Sequence, residues 1–148
     1  MTGREIIEGI KAALEADATL AAWCQNNFSE GLTVVVGWST DDVPPDDWSY
    51  PCCNLALWKL SEGEGDKHAS LELDIEAQVY PDGATKDEAV LLADDLACMC
   101  RDAIARAKVG TEIRAEIVGG MTELYPRGIA RGTITINRLR SHRAGLGR

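Results

Sequence analysis

At 148 residues, with 45% apolar and 26% charged positions, the chain has the length and balance of one globular domain that can bury a core without disulfide or metal staples. No run of 18 or more apolar residues is present, which excludes a membrane-spanning helix. The net charge of -9 argues against broad contact with nucleic-acid phosphates or anionic lipid. That average conceals a division. All 24 acidic residues lie at or before Glu123, so residues 1–126 carry -15, whereas residues 127–148 carry +6 from Arg127, Arg131, Arg138, Arg140, Arg143 and Arg148.

The first segment opens with the capping box Thr2-Gly3-Arg4-Glu5 and continues as an amphipathic helix with Ile6, Ile7, Ile10, Ala13 and Leu14 on its apolar side. Its charges, Glu5, Glu8, Lys11 and Glu15, rule it out as a secretory signal, so the expectation is a protein that stays in the cytosol. Asp17 is placed to cap a second short helical stretch through Leu20, Trp23 and Cys24. The β-branched run from Leu32 to Trp38 predicts a strand, and Thr40 to Asp47, acidic and with Pro44-Pro45, predicts a loop.

Pro51 to Leu60 reads as a strand buried on both sides, with Cys53, Leu55 and Leu57 on one face and Ala56 and Trp58 on the other. Ser61 to Lys67 is a glycine-rich connection. The clearest period follows: Leu71, Leu73, Ile75, Ala77 and Val79 alternate with Glu72, Asp74, Glu76 and Gln78, which predicts a strand with one buried and one acidic face. Ala84 to Ala107 predicts a long helix turning Ala89, Leu92, Ala93, Leu96, Met99, Cys100, Ala103 and Ile104 inward, with Gly110 as its stop. Ile113, Ala115 and Ile117 alternate with Glu112, Arg114 and Glu116, and Gly128 to Leu139 forms a last strand with Ile134 and Ile136 inward. The order predicts an α+β fold: a largely antiparallel or mixed sheet of about five strands on two main helices, one domain over residues 1–140, and a flexible basic tail over 141–148.

Residues that carry chemistry are scarce. His68 follows a loop and His142 sits in the arginine-rich tail; neither is placed to activate a nucleophile, and no serine elbow or phosphate-binding glycine loop is present. Cys24, Cys52, Cys53, Cys98 and Cys100 lack the spacing of a zinc or redox site, and the paired acids Asp41-Asp42, Asp46-Asp47 and Asp94-Asp95 lack that of a calcium loop. The expectation is a protein with no catalytic residues, metal or cofactor. Two sets of residues remain as candidate contacts. Glu72, Asp74 and Glu76 project from one strand face, either as a solvated surface or as an electrostatic one that repels a polyanion or pairs with a basic partner. Arg127, Arg131, Arg138 and Arg140 read either as soluble strand ends or as docking groups, and Trp48 either anchors its loop or makes a protein contact.

The helix ending Ala16-Asp17-Ala18-Thr19-Leu20-Ala21-Ala22-Trp23, the proline-bearing loop into Tyr50-Pro51-Cys52-Cys53-Asn54-Leu55, the alternating strand Leu71 to Tyr80, then Asp82, a long helix and two final strands resemble the tail-terminator, or tail-completion, proteins of long-tailed bacteriophages and prophages. The resemblance covers about residues 4–139 and is one of order and texture. It implies a non-enzymatic virion assembly protein that forms a hexameric ring, caps the tail tube and joins it to the head or neck. The implied partners are further copies of itself, the tail-tube protein and a head-completion or neck protein, with no membrane and no sequence-specific nucleic acid; the implied location is the host cytoplasm during assembly and then the virion tail. On this reading the arginines and Trp48 sit at subunit or tube contacts, and the acidic stripe faces the lumen or an interface. The cysteines and the arginine-rich tail depart from a typical member. The alternative is an acidic binding module, antitoxin-like or DNA-mimicking, that sequesters a basic protein.

Overall fold

The computed structural model describes residues 2–38, 49–62, 69–81, 83–121 and 127–139. Helix α1 (Gly3–Ala16) starts at the capping box: the Thr2 hydroxyl accepts from the Glu5 amide and the Glu5 carboxylate accepts from the Thr2 amide, both at 3.2 Å. Asp17 then ends α1 and caps α2 (Ala18–Phe28) by accepting from the Leu20 amide at 2.9 Å. The same carboxylate takes two hydrogen bonds from Arg106, at 2.9 and 2.7 Å, and so ties the α1–α2 corner to the last turn of α3 (Lys86–Ala107).

The five strands are β1 (Thr33–Val36), β2 (Cys52–Ser61), β3 (Ser70–Val79), β4 (Gly110–Met121) and β5 (Gly128–Leu139), arranged β1-β2-β3-β5-β4. The β1–β2 pair is parallel and the other three are antiparallel, so the predicted α+β fold with a mixed five-stranded sheet is the one observed. The helices cover one face. Ile6, Ile7, Ile10 and Leu14 of α1 and Ala89, Ala93, Leu96, Ala97, Cys100, Ala103 and Ile104 of α3 are buried against Leu55, Leu71, Leu73, Ile75, Ile134 and Ile136 of the sheet. Removing such side chains from water drives the association of the two layers.

The small residues of α3 permit unusually close packing. A Cβ on Gly128 would lie 2.1 Å from the carbonyl oxygen of Ala89, so only glycine lets α3 and β5 meet there.

Two readings of the sequence are corrected. The helix does not end at Gly110: Lys108 closes α3 in the left-handed conformation at φ 53°, and Gly110 is already the first residue of β4, where a Cβ would come within 2.5 Å of the Asn137 carbonyl and the Ile136 side chain. In β2, a bulge between Leu55 and Leu57 inserts one residue and reverses the alternation. Leu57, expected beside Cys53 and Leu55, is therefore 66% exposed, while Trp58 packs against the core beside Gly3. Only Cys52 to Leu55 is buried on both sides; beyond the bulge β2 alternates.

Candidate interaction face

The sheet face opposite the helices carries the acidic stripe, and the registers lay it out in rungs across four strands. Lys59, Glu72, Thr135 and Arg114 form one rung; Leu57, Asp74, Thr133 and Glu116 the next; Asn54, Glu76, Arg131 and Val118 the third. Because β5 intervenes between β3 and β4, the stripe lies next to basic and hydroxyl side chains rather than beside another acidic strand. A groove of about 520 Å³ runs over the second and third rungs, with Trp38, Leu57 and Val118 supplying its apolar surface and Asp74, Glu76, Glu116, Arg131 and Thr133 its polar surface.

The three carboxylates differ in environment. Glu72 is exposed. Asp74 is half-buried and accepts from the Thr133 hydroxyl at 2.9 Å. Glu76, 2% exposed, accepts from Arg131 at 3.2 Å and from the Gln78 amide. Burial of a carboxylate is tolerable only with such partners. The stripe thus becomes progressively internal along β3, and at Glu76 it is part of the protein's own ion-pairing.

Beside Glu76 on β2, Asn54 is fully buried and uses both ends of its amide on one residue: its nitrogen donates to the Trp38 carbonyl at 2.7 Å and its oxygen accepts from the Trp38 amide at 3.2 Å. This pairing substitutes for a strand partner and fixes the chain leaving β1 at the edge of the groove.

Of the basic candidates, Arg127 is almost wholly buried just before β5, Arg131 lies mid-strand against Glu76, and Arg138 is exposed near the end of β5 with φ 50°. They are spread along β5 rather than clustered. Trp48 and Arg140 lie outside the described residues, as do the proposed tail over 141–148, both histidines, Asp82 and the loop over 40–47. Lys59, Arg114, Glu116, Leu57 and Val118 were not singled out from the sequence. The alternation of β4 was visible, but its position two strands from the acidic stripe requires the strand order, and the outward turn of Leu57 requires the bulge.

Among the described residues, no three potential metal-ligating side chains converge, and no helix is long and apolar enough to cross a membrane. The buried thiols Cys24, Cys53 and Cys100 sit on the helix side. Burial pushes Cys24 up to about 11, a hydrogen bond with Cys53 together with burial pushes Cys100 far up, and burial raises the half-buried Cys98 as well. Cys24 and Cys100 are thus held protonated at neutral pH and enclosed, which keeps them from acting as nucleophiles, whereas Cys98 is partly open to solvent. Comparison of the chain with models of known protein families and with characterised proteins finds no match.

Proposed function

We propose that this chain is a non-enzymatic assembly subunit of a phage or prophage virion, a ring-forming tail terminator that caps the tail tube and meets a head-completion or neck protein. One observation carries the reading: an open, charged sheet face with exposed Leu57 and Val118, flanked by β1 and β4, which are unpartnered edges among the described residues. Such a face is built for contact with other chains along its length, and head-to-tail contact between copies closes into a ring when the rotation permits. Glu72, Asp74, Glu76, Glu112 and Glu116 outnumber Lys59, Arg114 and Arg131 on this face, and the modest negative balance suits a lumen along which DNA passes without adhering. Assembly would take place in the host cytoplasm and end in the virion tail.

The test is to add the purified protein to polymerised tail-tube protein and image tube ends by electron microscopy. Rings confined to one end, with tube length arrested, are the expected result; tubes that keep growing with bare ends overturn the reading. The surplus of exposed carboxylates also fits a module that sequesters a basic protein, and a pull-down that recovers one small basic protein instead of tail-tube protein would decide for that alternative.

A further inference from the structure

Strand β4 is the long edge of the sheet, twelve residues hydrogen-bonded to β5 on one side and to no strand among the described residues on the other. Its exposure is that of an open edge: Glu112, Arg114, Glu116 and Val118 are exposed on the open face, and Ile113, Ala115 and Ile117 are only half-buried on the helix side. Edges of this length are commonly blunted by proline, lysine or a bulge. Here the register shifts only between Val118 and Met121, and Glu112 to Val118 pairs with β5 residue by residue.

We propose that the free protein pairs β4 with β4 of a second copy, antiparallel about a two-fold axis at Ala115. The side chains of β4 select this partner and this register. With Ala115 opposite Ala115, each Arg114 faces the other copy's Glu116 on the open face, and each Ile113 faces Ile117 on the helix side. Both relations occur twice by symmetry. The neighbouring register centred on Arg114 sets Arg114 against Arg114 and Glu112 against Glu116, placing like charges directly opposite. The register centred on Ile113 recovers one type of ion pair but shortens the paired stretch and leaves Ile117 without a partner. Among the described residues, neither Arg114 nor Glu116 has an ion pair within its own chain, so both are available. The pairing buries the half-exposed isoleucines and satisfies the outward backbone groups of β4, and because the contact is isologous it ends there without propagating into a fibre. It goes beyond the ring reading, since it concerns the protein before it meets any tube, and it stands or falls separately.

Sedimentation or light scattering of the free protein is expected to give twice the 16.0 kDa chain mass. Arg114→Glu and Glu116→Arg, both at exposed positions, should each raise the dissociation constant about tenfold or more with unchanged circular dichroism, and the double variant should return it close to the parent's value, because exchange of the two charges restores both pairs. Ala115→Cys should give a covalent dimer under oxidised glutathione, which takes up the two electrons released. Val118→Cys should not, because its two copies lie about 20 Å apart in this register. A free protein that stays at 16.0 kDa up to about 1 mM, one that forms rings larger than a dimer, a double variant as weak as the single ones, or an Ala115→Cys protein that stays uncrosslinked would each overturn the proposal.

Discussion

Arg131 and Glu76 illustrate how a residue's address changes its meaning. The guanidinium is partly solvated, whereas the carboxylate is almost wholly enclosed, so the two halves of the pair are not equivalent under substitution. Arg131→Ala leaves a buried carboxylate short of a partner and should cost about 2 to 3 kcal/mol, whereas Glu76→Gln keeps the acceptor in place and should cost about 1 kcal/mol; urea unfolding of the two variants checks the order. Charge reversal at Arg131 consequently perturbs folding as well as any docking, and the exposed Arg138 is the cleaner probe of subunit or tube contact. The alternation of β3 made its two faces legible from sequence, but not the burial of Glu76, because what lies beside a strand is set by residues far away in the chain.

Asp17 is a second case. Two hydrogen bonds from Arg106 and one from the Leu20 amide hold its carboxyl below the ordinary carboxylate range. Its contribution is therefore present above the pKa of the unfolded chain and is lost as pH falls through the lower folded value. Asp17→Asn keeps a competent helix cap but removes the charge. The variant should be less stable than the parent at pH 6, and the difference should vanish toward pH 2, as followed by chemical denaturation.

At the scale of elements, the α3–β5 contact has the least tolerance. Gly128→Ala drives a methyl group into the Ala89 carbonyl, a backbone atom that cannot turn away, and should cost about 3 kcal/mol or more. Gly37→Ala meets nothing within 4 Å and pays only for its φ of +74°, about 1 kcal/mol. Denaturation midpoints of the two variants separate steric from conformational cost. The helices and strands were legible because their periods and caps are local: the capping box, the Asp17 cap and the α3 stripe are all found where the pattern put them. The β2 bulge was not, since Ala56-Leu57-Trp58 carries no glycine or other local mark of an inserted residue; the shift appears only in the pairing with β3.

At the scale of the whole molecule, the linear division of charge does not become a division in space. The first half of the basic end is β5, which lies inside the sheet, so part of the +6 is enclosed by the acidic body and Arg131 is spent on Glu76. The buried thiols add a pH limit at the other extreme. Cys24 holds its proton to about 11 in the fold against about 9.0 for an unshifted thiol, so its contribution is intact below pH 9 and falls away between pH 9 and 11, where the unfolded chain ionises first. The loss of unfolding midpoint over that window should be shallower in Cys24→Ala. A thiol reagent should modify the half-buried Cys98 in the native protein and reach Cys24, Cys53 and Cys100, all wholly buried, only at the rate of unfolding. Fold class was readable from the order of elements, whereas the candidate face was readable only as one strand of it, because adjacency between distant strands has no local signature.

The strand order carries a consequence for how the molecule is made. The strand that joins β3 to β4 is the last of the five to be synthesised, so while the nascent chain grows, β3 and β4 have no hydrogen-bonding partner between them and α3 has only part of its floor. The sheet is completed by an insertion rather than by stepwise addition at an edge, a non-local event that places this chain among slowly closing topologies. A protein built in this order withholds its finished outer edge from neighbours until nearly all of the described chain has been translated, which separates the folding of each copy from its association with the next.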